Sequence, residues 1–156
     1  MSDGESQRPA ASSVDEVIAR VKASWEELLQ ALDGIPDERL EEPGVSGEWS
    51  VKNLLGHFAF WDEQAAVEIA HALAGEARTD NEWQAMNEAD HAQRRARNLP
   101  EERAAMHQAH AMLMERLEEV TGADGPRIDD AVAPGSYQHY EEHTPDIRAW
   151  RERSGI

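Results

Sequence analysis

The chain contains no cysteine, which excludes disulfides, protein thiolate nucleophiles and cysteine-held iron–sulfur clusters. It has no apolar run near the ~18 residues needed to cross a membrane. Basic residues are scarce: 15 Lys and Arg stand against 32 Asp and Glu, a formal charge of −17. Duplex affinity comes largely from cationic counterion release, so this balance predicts no nucleic-acid partner and no anionic membrane surface. Glycine-rich phosphate loops, G-x-S-x-G elbows and H-E-x-x-H are absent, which removes the usual nucleotide and protease readings. No stretch shows sustained β alternation, and no internal repeat is present. The N-terminus is polar and lacks the apolar stretch of a secretory signal. Together these absences predict a soluble, cytoplasmic protein.

What is present is helical periodicity. A length of 156 residues predicts one domain with a core that needs no covalent staples. Residues 1–13 are rich in Ser, Gly and Pro and read as a disordered tail, leaving a single domain over 14–153. Val14, Val17, Ile18, Val21, Trp25, Leu28, Leu29 and Leu32 recur at three- and four-residue steps. Ser13 with Glu16 reads as a capping box, and Gly34 as the stop, so the first helix is predicted over 13–33. Residues 34–49 read as an irregular connection.

Ser50 caps a second helix to about Ala74, with Val51, Leu54, Leu55, Phe58, Ala65, Ile69 and Leu73 on its stripe and Trp61 at the edge. A weaker surface segment, capped by Thr79 or Asp80, runs to about Arg97. Pro100 opens another helix, with Met106, His110, Leu113, Leu117 and Val120 inward. Residues 122–135 carry two Pro and three Gly and read as loop. A last helix covers about 136–153, with Tyr140, His143, Ile147 and Trp150 on one face and a kink at Pro145. Four long amphipathic helices and a long link before the third predict an all-α four-helix bundle with a crossover.

The strongest chemical signal is His139-Tyr140-Glu141-Glu142-His143. Histidines at i and i+4 share one helix face, so both imidazoles reach one ion. His143 is in register with Ile147 and Trp150 and therefore faces inward. Burying two imidazoles without partners costs free energy, and either a metal or hydrogen bonds from Glu or Tyr would resolve that cost. His57, between Leu54 and Trp61, reads as a boundary histidine or as a third ligand. His110 sits at a core register, lining a pocket or hydrogen-bonded. His71, His91 and His107 lie among polar residues and carry no assigned role. The paired glutamates along the helices read as solvated faces.

The stretch Gly47-Glu48-Trp49-Ser50-Val51-Lys52-Asn53-Leu54-Leu55-Gly56-His57-Phe58-Ala59-Phe60-Trp61 resembles the second-helix signature of the DinB-like superfamily. His139 to Trp150, with His143, Pro145 and Ile147 between, resembles its last-helix signature, particularly in the ClbS-like branch. Trp83 and Asn87 match a Trp/Asn-containing segment after the second helix. The resemblance spans about 14–153. It implies a four-helix bundle with a crossover between the second and third bundle helices. It also implies a divalent metal (zinc, nickel or ferrous iron) on His57, His139 and His143. Related members transfer low-molecular-weight thiols or hydrolyse reactive small molecules.

The expected function is thus a metal-dependent transferase or hydrolase acting on a small-molecule electrophile in detoxification or stress response. A low-molecular-weight thiol is the expected co-substrate, and Glu142, Tyr140 and His110 are the acid/base candidates. The competing expectation is a non-catalytic small-molecule-binding or sequestering protein, its pocket lined by Trp49, Trp61 and Trp150. A surplus of apolar side chains, Trp25 with Met112 or Met114, suggests a homodimer.

Overall fold

In a computed structural model, residues 8–156 are described. Helix α1, Val14–Leu32, opens at Ser13, whose side chain accepts from the Glu16 N–H at 3.1 Å. The expected capping box is displaced by one residue. The Glu16 carboxylate accepts from the backbone and hydroxyl of Ser12, at 2.8 and 2.9 Å, rather than from Ser13. Gly34, with φ +78, turns the chain out of the helix. The connection to α2 is irregular but anchored: a short 3-10 turn spans Asp37–Arg39, and Ile35, Leu40 and Val45 are buried.

Helix α2, Val51–Leu73, starts in a reciprocal capping box between Ser50 and Asn53. Its predicted stripe is buried except for Leu73, which is half exposed. Trp61, expected at the edge, is fully buried and donates its indole N–H to Asn87 at 2.6 Å. Asn87 lies on α3, Trp83–Arg94, a surface helix with no buried residue. It begins later than Thr79 or Asp80 because both side chains are used otherwise. Thr79 donates to Glu68, and Asp80 accepts from Arg78. Helix α4, Leu99–Glu119, is capped by Asn98, which puts Pro100 one position further in than expected.

Residues read as loop contain a further helix, α5, Gly125–Val132, capped by Asp124. Its apolar side, Ile128, Ala131 and Val132, is buried. Helix α6, Tyr137–Ser154, runs through Pro145 without interruption, and the Thr144 hydroxyl donates to the Tyr140 carbonyl at 2.7 Å. Among the described residues there are no strands. The long helices α1, α2, α4 and α6 form the bundle, α2 packing chiefly on α4 and α1 on α6. α3 is the crossover, and α5 wedges against both α1 and α2.

Of the tail expected over 1–13, residues 1–7 lie outside the described residues, and 8–13 are packed on the bundle. Ala11 is fully buried, and its N–H donates to Asp129 of α5 at 3.1 Å. Trp25, part of the surplus that suggested a dimer, is buried within the chain.

Gly125 is where this segment crosses α5. A Cβ there would lie 2.4 Å from Ser13 Cα and 2.5 Å from Ser13 N, both backbone atoms that cannot swing away. Gly125→Val is therefore expected to cost about 1–3 kcal/mol through overpacking. Gly122→Ala, which meets nothing within 4 Å, should stay within about 0.5 kcal/mol of wild type. Urea midpoints for the two variants check this.

Candidate metal centre

Helix α2 starts at the Ser50 cap, and His57, two turns in, lies on the face that meets α6. On α6, His139 and His143 lie one turn apart, as the spacing requires. The three rings meet with centroids 4.4 Å (His57–His139), 5.4 Å (His57–His143) and 4.9 Å (His139–His143) apart. One nitrogen from each ring lies within 4.8 Å of the other two. All three side chains are buried, His139 at 1% exposure. Both nitrogens of His139 and Nε2 of His143 have no hydrogen-bond partner. The alternative of Glu or Tyr hydrogen bonds to His139 is thus not realised.

His143 has its other nitrogen held. Nδ1 lies 3.2 Å from Asp146 and 3.3 Å from the Ser46 hydroxyl. A carboxylate on one imidazole nitrogen fixes the ring and leaves the other nitrogen as a ligand. Burial pushes the His57 and His139 pKa values well below the ordinary histidine value, and neighbouring imidazoles add to the effect. His143 is lowered too, chiefly by burial, with Glu142 and Asp146 opposing. Neutral imidazoles are the protonation state a metal takes. Three buried, neutral, convergent nitrogen donors, partly orphaned, fit a divalent ion.

The walls are aromatic. Phe58 stands edge-on to His139 at 5.3 Å and to His143 at 5.8 Å. Trp49, from the irregular connection, stands edge-on to His57 at 4.6 Å and stacks on His91 of α3 at 4.8 Å. Beside them a cleft of about 200 Å³ opens, bordered by His57, Trp49 and His91. Of the tryptophans expected to line a pocket, only Trp49 does; Trp61 and Trp150 belong to the core.

The acid/base candidates separate. Glu142 is half-buried and its charge reaches His143. Tyr140 and His110 come together, but in a different network. The Tyr140 hydroxyl donates to the fully buried Asp62, at 2.6 and 2.7 Å to its two oxygens, and lies 3.1 Å from His110 Nδ1. Trp25 stacks on the His110 ring at 3.7 Å. Burial pushes Asp62 far up and His110 down to about 4. His110 and Asp62 face each other at 3.9 Å, and burial disfavours the charged form of each. Sequence reasoning missed Asp62, Asp146, Ser46 and the His91–Trp49 stack. An acid inside an otherwise apolar helix face was the available signal for Asp62.

His110 makes a pH prediction. Its folded-state pKa is depressed by burial, with His107 adding, so the unfolded chain takes up the proton first as pH falls. Its contribution is complete above about 6.5 and is lost as pH falls toward the folded-state value of about 4. Asp62 acts in the opposite sense, because its raised pKa favours the folded state at low pH. Urea stabilities of wild type and His110→Gln should therefore be compared between pH 7 and 4. The wild type should lose stability more steeply than the variant, in which Asp62 is unchanged.

A bundle of four long helices with a histidine cluster joining the second to the last is a defined class of protein. The chain belongs to the DinB superfamily, whose sequence model matches residues 20–145. Among solved structures, it is similar to an uncharacterised protein from Escherichia coli UTI89. That match has a TM-score of 0.77 and 14% identity, and covers 94% of this chain and 97% of that one. It is also similar to the colibactin self-resistance protein ClbS, solved in complex with a double-stranded DNA. Here the TM-score is 0.72 and the identity 15%, over 88% of this chain and 94% of ClbS. At these identities the likeness establishes the fold. No curated protein matches the sequence.

The ClbS complex corrects one expectation. Net charge led to the exclusion of nucleic acid, yet a protein of this fold is crystallised with duplex DNA, and the exclusion does not stand. The physical reason is that net charge is a sum over the chain, whereas binding depends on where charges lie. Lys52, Arg94 and Arg95 share one cleft here. For membranes, no helix among the described residues is long and apolar enough to cross one.

Proposed function

We propose that this chain is a metal-dependent enzyme that acts on a small electrophile, with His57, His139 and His143 holding one zinc, nickel or ferrous ion. The observation that carries the reading is the set of buried histidine nitrogens without partners. Leaving such groups unpaired in an apolar interior costs free energy. When bound, such an ion lowers the pKa of a coordinated thiol or water and so supplies the nucleophile for thiol transfer or hydrolysis. Three protein ligands leave a position for that nucleophile.

The chain's own residues do the rest. Asp146 and Ser46 orient His143, while Phe58 and Trp49 shield the histidines from bulk water. The cleft beside His57 admits the substrate. Glu142 is the acid/base candidate whose charge reaches the cluster. Tyr140 and His110 support the site from behind Phe58 through their network with Asp62. A protective role is in keeping with the self-resistance function named for ClbS.

The test loads the protein with zinc, nickel or ferrous iron. Each form is assayed with cysteine, glutathione or water against 1-chloro-2,4-dinitrobenzene and an epoxide. Turnover above background is expected with at least one pairing, and Glu142→Gln should lower it by about 10²-fold or more. The competing reading is a sequestering protein without chemistry, favoured by the stacked aromatic wall of Trp49 and His91 along the cleft. Saturation at one ligand per chain with no product, under every metal and thiol, would establish that reading and remove catalysis.

A further inference from the structure

The cleft beside His57 has an uneven supply of hydrogen-bonding groups. Its two acids are already engaged. Both oxygens of Asp90 accept from Arg94 Nε, at 3.0 and 2.8 Å. Glu102 Oε1 accepts from Arg94 at 2.9 Å and from Arg97 at 2.5 Å. Arg94 is thereby committed to the wall as well. Asn53 is committed at one end only. Its Oδ1 accepts from the Ser50 backbone and hydroxyl, both at 2.9 Å, which leaves its amide N–H2 as a donor.

Two cations complete the rim. Arg95 is exposed and has no ion pair among the described residues. Lys52 is bound only to Glu41, at 3.1 Å, and Glu41 is 67% exposed, so that pair contributes little and exchanges readily. The spare capacity of the cleft is therefore that of donors: an ammonium, a guanidinium and an amide. In a chain with a formal charge of −17, this is a local reversal of sign. The stacked Trp49 and His91 rings border the same cleft, and Trp49 also stands edge-on to His57.

We propose that the cleft bordered by Lys52, Asn53 and Arg95 binds the carboxylate of a small molecule, with the rest of that molecule lying along Trp49 toward His57. Charge-assisted bonds to a carboxylate are about twice as strong as neutral ones, and the three donors border one cleft of about 200 Å³. The proposal rests on the functional reading in one respect, that substrate enters beside His57. Carboxylate recognition itself needs only the chain's own side chains.

The experiment uses matched pairs that differ only at the carboxylate: N-acetylcysteine against N-acetylcysteinamide, and benzoate against benzamide. Binding to metal-free and metal-loaded protein is followed by tryptophan fluorescence and calorimetry, with metal content measured in parallel. Each acid should bind about tenfold or more tightly than its amide. The double variant Lys52→Ala/Arg95→Ala should abolish that preference with metal content unchanged, while Arg127→Ala, outside the cleft, should keep it. Equal affinity for acid and amide would overturn the proposal, as would a preference that survives the double variant. Failure of both acids to saturate below about 10 mM would do the same. A short DNA duplex whose binding needs Lys52 and Arg95 and is not displaced by either acid would assign the rim to phosphate instead, and would also overturn it. A carboxylate preference in protein that takes up no metal would uphold this site while sinking the enzyme reading.

Discussion

Alanine at His57, His139 or His143, one at a time, is expected to abolish near-stoichiometric divalent metal uptake. His71→Ala should bind as wild type does, because His71 pairs with Glu76 away from the cluster. The three ligand positions are not redundant. They come from two helices, and each contributes a single nitrogen within 4.8 Å of the others. Asp146→Ala should give an intermediate result, about 10–100-fold weaker affinity, because it would act on an ion only through His143, 3.2 Å away. Uptake by the wild type should persist through about pH 6.5 and fall only at lower pH, since ligands must be unprotonated. Burial already holds the His57 and His139 rings below their ordinary value, so protons compete for them only below it. Elemental analysis of tag-free protein after reconstitution with zinc, nickel or ferrous iron reads every one of these outcomes. A wild type that takes up no metal, or three variants that all keep it, would end the assignment.

Trp61→Ala should produce the largest loss of stability, about 3–5 kcal/mol. That is a large share of the 5–15 kcal/mol typical of a domain, and corresponds to a drop in Tm of roughly 6–20 °C. The side chain is fully buried, so the substitution opens a cavity at the centre of α2. It also leaves Asn87 without its donor. Trp61→Phe separates the two effects, since it keeps most of the packing and should cost about 1–3 kcal/mol, mainly for the unpaired amide oxygen. The consequence reaches the cleft, because the Trp61–Asn87 bond tethers the helix that carries His91 and Arg94 and ends at Arg95. Hydrogen exchange should accelerate in α3 before it does in α4. A Trp61→Phe variant as stable as wild type, with unchanged exchange in α3, would show that the tether carries no weight.

Helix ends were the most legible features, because capping is local chemistry. Ser13, Ser50 and the acidic turn after Pro100 each mark a helix start within a residue or so of where it lies. The short helix α5 escaped for the same local reason. Gly122, Gly125, Pro126, Pro134 and Gly135 all read as breakers, whereas Asp124 followed by Pro126 is an N-terminal cap, with Ile128 and Val132 one turn apart behind it. A composition count outweighed a periodic pair. The tail reading failed beyond residue 7 because nothing in residues 8–13 announces that Asp129, far along the chain, will take the Ala11 N–H.

The i,i+4 pair on the last helix and His57 beside the apolar stripe of the second were written in the sequence by itself, as were the four long amphipathic helices and the excess of acid. Periodicity shows which side of a helix is apolar. It does not show which helix that side will meet, and the meeting decided the rest. Packing of α2 against α6 brought His57 to His139 and His143 and left their nitrogens without partners. It buried Asp62 against Tyr140 and His110, and it folded Trp49 from a loop onto His91 from a surface helix. Charge followed the same rule: the count of acids is fixed by composition and the Asp90–Arg94 pair is local to α3, but only the approach of α3 to α4 engages Glu102 with Arg94, and the cleft is rimmed by donors once Arg95 and Lys52 border it together. Local propensity is a property of neighbours in the chain, and a site is a property of neighbours in space.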